Sequence, residues 1–346
     1  MIKILSILHS LNFNLKQTLV LLFSLMIGVN SLAISQVKDD IAEKIVLYQR
    51  DNGGWPQYSG DPTDYKKPLS KEFKSKLIGD KLEKDATIDD KSTTFEIVYL
   101  LQQAAKTKNE VYLDAAEKGM QYLFEAQNSA GGWPQKYPDI SGYHKHITYN
   151  DQAMISVLWI MKRISDKEEP YTLLSQKTKE RAKKSLEKGI ECILNTQYIQ
   201  NGKLTAWCAQ HDSETLLPAS ARAFEPASLS GNESVGILKF LMAIENPDQR
   251  IQNSINAGIA WFKSVEIKDK AVRYFKNVNA PKGRDIEVID EEGKSLWARF
   301  YDLETNEPIF MGRDKERKAN LSDLEIERRT GYAYLGTWPK KLVLEQ

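Results

Sequence analysis

Two short stretches of the sequence bring together residues that could do chemistry. In the first, Ile147–Ile155, Asn150 and Asp151 stand immediately before the apolar run Ala153–Ile160, and the second, Trp207–Asp212, ends in a carboxylate. Carboxylates so placed could act as a general acid and base, or could bind a hard cation through oxygen. The alternative is that Asn150 or Asp151 only caps the helix that the apolar run predicts, which is a common use of these residue types.

An internal repeat supplies the elements that must position these residues. A helical pattern recurs at Ala115–Gln127, at Ser185–Gln197 and more weakly at Ile255–Phe262, with mid-helix glycines 70 and 69 residues apart. A first copy without the glycine is Ile41–Gln49. Glycine inside a helix costs about 1 kcal/mol relative to alanine, so its recurrence indicates close helix packing.

Each copy is followed by a loop and a second helix. The loops Asp51–Tyr58 and Ala130–Tyr137 share the run Gly-Gly-Trp-Pro-Gln, and Asn201–Trp207 is a third form. Their tryptophans, Trp55 and Trp133, are interpreted either as packing anchors or as surfaces on which a sugar could stack. Apolar residues at helical spacing predict second helices over Thr93–Lys106, Gln152–Ile164 and Glu233–Ile244.

Repeated helix pairs predict a fold dominated by α-helices, in which hairpins stack on one another. Three hairpins could close into an α/α toroid or continue as an open solenoid, and the small number of repeats with long aromatic loops favours the toroid. After residue 265 the pattern changes to short runs of strand length, Ala271–Phe275, Ile286–Ile289 and Ser295–Tyr301. We therefore expect an (α/α) toroid of three helical hairpins with a small β-rich C-terminal segment.

The composition excludes some classes of partner. The 346 residues include 48 basic and 47 acidic ones, a net charge of +1, so no overall positive field indicates a nucleic-acid partner. Cys192 and Cys208 lie in different segments and are expected to be buried free thiols. No group of cysteines and histidines has the spacing of a zinc site. We expect a monomer.

Residues 1–35 are predicted to be a signal peptide. Basic residues precede the apolar run Thr18–Val29, and Ser31 and Ala33 follow at the spacing that a signal peptidase recognises. A transmembrane helix needs about 20 apolar residues, more than this run provides. We expect an exported protein, periplasmic or extracellular, with one domain over residues 36–346 and no membrane association after cleavage. An uncleaved membrane anchor is the alternative.

Further motifs follow the glycine-rich loops in a fixed order. They are Thr148–Asp151, Trp207–Asp212, Ala221–Ser228, Gly283–Arg284, Arg299–Tyr301, Pro308–Asp314 and Arg328–Tyr332. With the Gly-Gly-Trp-Pro-Gln loops, they make the chain after its leader resemble the family 10 pectate lyases over essentially its whole length. The resemblance implies an α/α toroid and a catalytic domain that uses calcium to cleave polygalacturonate or oligogalacturonates by β-elimination, giving 4,5-unsaturated products.

Such chemistry needs oxygen ligands and cations. Removing the C5 proton of a galacturonate builds negative charge on its carboxylate, which a metal and cationic side chains neutralise while the C4 oxygen departs. The resemblance implies that Asp151 and Asp212 are calcium ligands and that Asn150 and Gln152 add amide oxygens. The family often has asparagine where this chain has Gln152.

The resemblance also assigns the base and the substrate contacts. Arg284 is expected to be the catalytic base, acting with Asp151. Because arginine has a pKa above about 12, this role requires a crowded cationic site; the alternative is that Arg284 clamps a carboxylate while a lysine or water is the base. Residues expected to bind substrate are Arg313, Arg328, Arg329, Lys145, Arg222, Tyr149 and Tyr332. One of Arg328 and Arg329 is expected to be structural.

Two other functions are compatible with an α/α toroid. A glycoside hydrolase would use paired carboxylic acids without a metal, drawn from Asp151 and Asp212 or from Glu225 and Glu233. A carbohydrate-binding protein without catalysis is the other. The many arginines of the C-terminal motifs favour the lyase, because a neutral sugar needs no carboxylate clamps.

Overall fold

Pairs of helices in two layers make up most of the computed structural model, which describes residues 38–58 and 60–344. The outer layer contains α1 (Asp40–Tyr48), α4 (Glu110–Ala126), α6 (Gln176–Thr196) and α8 (Gln249–Ser264), and the inner layer contains α3 (Thr94–Thr107), α5 (Ala153–Ser165) and α7 (Glu233–Met242). The short helix α2 (Lys71–Gly79) lies in the first connection. Neighbours within each layer contact one another in chain order. This is the predicted α/α toroid of three hairpins, with α8 as an additional outer helix.

The two layers begin their helices in different ways. Each outer helix has an N-cap side chain that accepts backbone N–H groups, namely Asp39, Asn109, Ser175 and Asp248. The inner helices have no such cap. In particular, neither Asn150 nor Asp151 caps α5, so the capping interpretation of these residues is wrong and their side chains are available for other contacts.

The loop tryptophans are packing anchors. Trp55, Trp133 and Trp207 are fully buried, and each indole N–H donates to a main-chain carbonyl of the preceding outer helix at 2.7–2.8 Å. Their own carbonyl oxygens accept the backbone N–H of Thr87, Thr148 and Ser230 at 3.0, 3.0 and 2.7 Å respectively. Buried indoles with satisfied N–H groups cannot stack on a sugar, so each loop instead positions the segment that enters the next inner helix.

In the second of these loops, Gly131 is required by its backbone conformation and by its neighbours. Gly131 has φ +89°, and a Cβ atom there would lie 2.2 Å from the carbonyl oxygen of Lys188 in α6. Gly142 also has a positive φ, +59°, but nothing lies within 4 Å of its Cβ position. Comparing a glycine-to-alanine change at the two positions therefore separates two contributions to the loss of stability, the strained backbone conformation and the crowding by neighbouring atoms.

Replacing Gly131 by alanine is expected to lower the free energy of unfolding by about 3 kcal/mol, because strain at positive φ adds to a clash with backbone. Gly142→Ala, the matched control, should cost only about 1 kcal/mol. Urea unfolding followed by circular dichroism measures both values. Equal losses in the two variants would show that crowding against α6 contributes nothing.

The C-terminal segment is rich in strands, as predicted. β6 (Ile267–Lys276) and β7 (Arg284–Ala298) form a long antiparallel hairpin, and β11 (Leu335–Gly336) pairs with the other edge of β7. A small separate core includes Phe300, Ile309 and Tyr334. Two short helices complete the segment, α9 (Ile326–Gly331) and α10 (Lys340–Leu344).

Short strand pairs tie this segment and the loops to the helices. β1 (Ile147–Thr148) pairs with β4 (Gln210–His211), and β5 (Leu229–Ser230) pairs with β8 (Phe300–Tyr301). The remaining pairs join β2 (Ile199–Gln200) to β3 (Lys203–Leu204) and β9 (Phe310–Met311) to β10 (Arg317–Lys318). The first two pairs matter for function, because they hold together segments that surround the N-terminal ends of the inner helices.

Other expectations concern the thiols and the membrane. Cys192 and Cys208 are both free and buried, as predicted. Among residues 38–58 and 60–344, no helix has the length and apolarity needed to cross a bilayer. The predicted signal peptide, residues 1–35, lies outside the described residues.

Candidate active site

The three inner helices begin after related turns. The segments are Thr87-Ile88-Asp89-Asp90, Thr148-Tyr149-Asn150-Asp151 and Ser230-Gly231-Asn232-Glu233. The backbone N–H of the first residue in each segment donates to a loop tryptophan. In the first two turns the last residue has a positive φ, +47° for Asp90 and +48° for Asp151. The repeat therefore places an acidic residue at the same position of each turn, at the entrance to an inner helix.

The first two turns bring three carboxylates together. Asp89, Asp90 and Asp151 each offer an oxygen atom, and these atoms lie within 4.8 Å of one another. Asn150 Nδ2 donates to Asp151 Oδ2 at 2.6 Å, and Gln57 Nε2 donates to Asp90 Oδ2 at 2.9 Å. We call the three carboxylates, Asp89, Asp90 and Asp151, the acidic group.

Crowding and burial disfavour the ionised forms of two of these carboxyls. Burial, followed by repulsion from Asp90, raises the pKa of Asp89 to about 6. Burial, followed by repulsion from Asp151, also raises the pKa of Asp90. Oδ1 of Asp89 is buried and accepts no hydrogen bond within the described part of the chain. Such a group of oxygen donors suits a cation, which would offset the mutual repulsion.

A buried arginine connects the second and third turns. Arg299 Nη2 donates to Asp151 Oδ1 at 3.1 Å and to Glu233 Oε1 at 2.6 Å. The side chains of Arg299 and Glu233 are 8% and 0% exposed. Burial opposes the charge of Arg299, but attraction to Glu233, Tyr332 and Asp151 outweighs it and raises the pKa of the guanidinium. Arg299 is therefore a permanent cation that fixes the position of Asp151.

Further arginines surround two aromatic rings beside this pair. The Cζ atoms of Arg222 and Arg328 lie 4.9 and 4.3 Å from the centre of the Phe224 ring, and that of Arg299 lies 4.7 Å from the Tyr332 ring. The two rings meet edge to face at 5.5 Å. Cation–π contacts of this kind hold guanidinium groups close together despite their like charge.

A polar cavity joins the acidic group to this arginine cluster. Its volume is about 360 Å³, and its lining includes Asp89, Asp90, Asp151, Lys136, Arg222 and Glu225. Arg222 donates to both oxygens of Glu225, at 2.7 and 2.5 Å, and Tyr332 Oη donates to Glu225 Oε1 at 2.9 Å. Burial alone would raise the pKa of Glu225, but the hydrogen bonds from Arg222 lower it below its ordinary value. Glu225 is thus an ionised partner that orients Arg222.

The predicted metal ligands do not all meet in this cavity. Asn150 and Asp151 line it, whereas Asp212 and Gln152 do not. The Asp212 carboxylate accepts the backbone N–H groups of Glu214 and Thr215 in its own turn, which lower its pKa. The Gln152 side chain lies against Gly236, where a Cβ atom would be only 1.4 Å from its Oε1 atom.

Some of the residues predicted to bind substrate lie at the cavity and others do not. Arg222 lines the cavity, and Tyr332 lies beside it in contact with Glu225. Tyr149 is fully buried and shares a hydrogen bond of 2.8 Å with Thr196, so its ring is part of the core and cannot stack on a sugar. Lys145 is exposed outside the cavity, which Lys136 lines instead.

The C-terminal arginines occupy different environments. Arg329 donates to both oxygens of Asp285 and lowers the pKa of that carboxyl to about 2, so Arg329 has a structural partner. Arg328 is 6% exposed against the aromatic rings. Arg313 is exposed and pairs with Glu327 at 3.2 Å. Arg284, at the start of β7, is exposed, with its Cζ atom 4.9 Å from the centre of the Tyr274 ring, and does not line the cavity.

Sequence reasoning missed Asp89, Asp90 and Arg299 as site residues. It considered Glu225 and Glu233 only as acids of a hydrolase, whereas both are paired with arginines. A signal for the two aspartates was present, because Thr87–Asp90 repeats the pattern of Thr148–Asp151 and, like it, shortly precedes a second helix. For Arg299 the signal was its place in the motif Arg299–Tyr301, which did not indicate an ion pair, since its partners are distant in the sequence.

A buried histidine holds the turn that carries Asp212. The backbone N–H of Cys208 donates to His211 Nε2 at 3.0 Å, so His211 Nδ1 carries the proton and donates to the Leu216 carbonyl at 2.9 Å. Burial lowers the pKa of His211 to about 4. Protonation would therefore break the bond to Cys208 and place a charge in the core.

We expect the free energy of unfolding to fall as the pH falls from about 6.5 to about 4, because over this range the unfolded chain binds a proton at position 211 and the folded chain does not. The contribution of His211 is on the order of 3 kcal/mol. His211→Gln should lower stability at neutral pH and flatten this dependence. Urea unfolding at about pH 7 and pH 4.5 measures both effects, and an unchanged slope in the variant would contradict the assignment.

Known proteins share this architecture. A family 10 polysaccharide lyase from Cellvibrio cellulosa has a TM-score of 0.75 and 32% sequence identity to this chain, over 88% of this chain and 90% of that one. A mutant of a family 10 polysaccharide lyase from the same organism, solved in complex with trigalacturonic acid, gives the same TM-score and identity over 88% and 91% of the two chains. No curated protein sequence matches the chain.

The toroid and its cleft of carboxylates and arginines, together with these similarities, define a polysaccharide-cleaving enzyme. More specifically, residues 49–343 match the family model described as pectic acid lyase, and the chain belongs to that family. The resemblance seen in the sequence is thereby confirmed, and the protein is a polysaccharide lyase.

Proposed function

We propose that the protein cleaves polygalacturonate by calcium-dependent β-elimination and releases 4,5-unsaturated oligogalacturonates. The observation that carries this proposal is the cavity in which the acidic group lies beside Arg222, in a chain of the pectic acid lyase family. The trigalacturonic acid bound by the related mutant enzyme indicates the same class of substrate.

The acidic group fits a calcium ion. Calcium takes oxygen ligands at about 2.3–2.6 Å, so ligand atoms on opposite sides of one ion lie about 4.8 Å apart. The oxygens of Asp89, Asp90 and Asp151 satisfy that limit, and Asp89 Oδ1 accepts no hydrogen bond among the described residues. Once bound there, calcium would neutralise charge that builds on the substrate carboxylate. We propose these three residues as the ligands in place of the set with Asp212 and Gln152.

The protein's own cations would hold the substrate. Arg222 and Lys136 line the same cavity and can donate to a uronate carboxylate there. Glu225 keeps the Arg222 guanidinium in one orientation, because it accepts from both Nε and Nη2. Arg313, exposed at the edge of the arginine cluster, is the candidate for a neighbouring sugar unit.

For the base we keep the proposal of Arg284 and add a comparison with Arg328. Both arginines lack a carboxylate within ion-pair distance in the described part of the chain, unlike Arg222, Arg299, Arg313 and Arg329. A guanidinium without a carboxylate partner among the described residues is available to contact the substrate, which makes Arg284 and Arg328 the two arginines to compare. Arg284 as a carboxylate clamp is the alternative role.

The loss of a base and the loss of a clamp have different kinetic effects. Removing a base is expected to lower kcat by about 10²–10⁴-fold, whereas removing a clamp raises KM. Arg284→Ala and Arg328→Ala should therefore be compared at alkaline pH. Full kcat in both variants would exclude an arginine base at either position.

The reaction itself is tested by ultraviolet absorbance during incubation with polygalacturonate. Elimination gives an unsaturated product that absorbs, and a chelator should abolish the rise while added calcium restores it. New reducing ends without absorbance would establish hydrolysis instead. Hydrolysis by Glu225 and Glu233 is disfavoured here, because the carboxylates of both residues are engaged in ion pairs with arginines.

We also propose that the protein acts as an exported monomer in the periplasm or outside the cell, with residues 1–35 removed. N-terminal sequencing of the protein recovered from the culture fractions tests this: the mature chain should start near residues 34–36. A chain that starts at Met1 in the membrane fraction would contradict it.

A further inference from the structure

A groove separate from the catalytic cavity runs along the inner helices. One part, of about 490 Å³, lies between α5 and α7 and is closed at one side by Trp338. A second part, of about 360 Å³, lies between α3 and α5. The two parts share Lys91, Ser156 and Trp159 and are therefore continuous. We call them together the inner groove.

The lining of the inner groove is cationic. Lys91, Lys239 and Arg163 contribute to it, and among residues 38–58 and 60–344 no Asp or Glu lines either part. This is a departure from the rest of the chain, in which basic and acidic residues are almost equal in number. The catalytic cavity, by contrast, is lined by four carboxylates.

Aromatic side chains lie among these cations. Phe95 is 48% exposed, and Trp159 and Trp338 are half-buried with part of each indole facing the groove. The other five tryptophans of the chain are at most 4% exposed. Partly exposed aromatic faces beside cations suit a sugar ring that carries a carboxylate, because the ring stacks while the charge is paired.

The groove begins at the turns that build the catalytic cavity. Lys91 follows Asp90, Gln152 follows Asp151, and Asn232 precedes Glu233, and all three of these neighbours line the groove. Each turn thus directs a carboxylate to one side and a groove residue to the other. A polymer bound in the cavity would find the groove's cations next to it.

We propose that the inner groove is a second binding site for acidic oligosaccharides, one that holds uronate units beyond those in the catalytic cavity. The occupant is identified by charge complementarity, by the exposed aromatic faces and by continuity with the cavity. This inference rests on the proposed function for the choice of a galacturonate chain, but binding in the groove requires neither calcium nor catalysis.

The test is tryptophan fluorescence titrated with hexagalacturonate in the presence of a chelator. Because only Trp159 and Trp338 are substantially accessible, saturable binding should protect the fluorescence from acrylamide quenching. In the double variant Lys239→Glu, Arg163→Glu the dissociation constant should rise at least tenfold. The matched control, Lys183→Glu with Lys184→Glu on the exposed face of α6, makes the same charge change and should leave the constant within twofold.

Several outcomes would overturn the proposal. These are equal binding by the double variant and the wild type, protection by neutral maltohexaose as strong as that by hexagalacturonate, and no protection at all. The neutral double variant Lys239→Gln, Arg163→Gln is a check in case the charge-reversed variant misfolds. Its dissociation constant for hexagalacturonate should also rise, but by a smaller factor. Asp151→Asn should keep groove binding, because its carboxylate faces the cavity.

The two proposals can fail separately. If the groove binds hexagalacturonate but no ultraviolet-absorbing product forms, the second site is supported and the lyase reaction proposed for this chain is excluded. If product forms but the dissociation constant is the same in the wild type and in the groove variants, the lyase reaction stands and the second site is excluded. If both proposals are correct, the double variant Lys239→Glu, Arg163→Glu should retain the wild-type kcat on trigalacturonate and show a raised KM on polygalacturonate.

Discussion

Asp151→Asn is expected to lower kcat/KM for polygalacturonate by about 10²–10³-fold, the usual cost of removing one group that stabilises charge in a transition state. Asn keeps the size of the side chain and can still accept from Arg299, so the loss reports the missing charge. Asp151 belongs to the acidic group and accepts hydrogen bonds from Asn150 and Arg299, so it links the proposed calcium ligands to the buried arginine.

The assay is the initial rate of ultraviolet absorbance at saturating calcium, with calcium affinity measured by titration calorimetry. Asp114→Asn, on the exposed face of α4, is the matched control and should retain full activity. Asp212→Asn distinguishes the two ligand sets. If it loses calcium affinity while Asp151→Asn keeps it, the metal is bound at Asp212 and the acidic group has another role.

Arg299→Ala should have the largest effect on stability, lowering the free energy of unfolding by about 3–5 kcal/mol. The side chain of Glu233 has no exposed surface, and Arg299 is its nearest cation, at 2.6 Å. Removing the arginine therefore leaves a buried carboxylate without a countercharge. Activity should fall as well, because Asp151 loses the contact that orients it.

A double-mutant cycle with Glu233→Gln separates these effects. The variant that carries both changes should regain part of the lost stability, since no buried charge is left unpaired, but should not regain activity. Urea unfolding and the ultraviolet assay on the four proteins give the two readouts. Additive stability losses would show that the ion pair is not the source of the effect.

Much of the fold was predictable because it is repeated. The recurring glycines and the Gly-Gly-Trp loops define the helix pairs, and the structure shows why the spacing is kept: each loop tryptophan bonds to the helix before it and to the turn after it. The same repeat contained the site signal at Asp89 and Asp90. It was missed because two adjacent aspartates in a polar stretch look like an ordinary loop.

The separate roles of neighbouring residues were less predictable. Arg328 and Arg329 are adjacent on α9, and successive helical positions point about 100° apart, so one contacts the aromatic rings and the other contacts Asp285. Tyr149 and Asn150 differ in the same way, one directed into the core and one into the cavity. Such directions depend on the backbone of the turn, which a single sequence does not reveal.

The strand β6 has a consequence for how the protein behaves at high concentration. In the described part of the chain it forms the end of its sheet, where β7 is its one neighbour, and it exposes Tyr274 and Phe275. A free edge with aromatic side chains would recruit the same strand of another molecule. Four of its ten residues are basic, so two such edges repel each other. Acetylating the three lysines among them should therefore promote self-association through this edge and leave the toroid and its cleft intact.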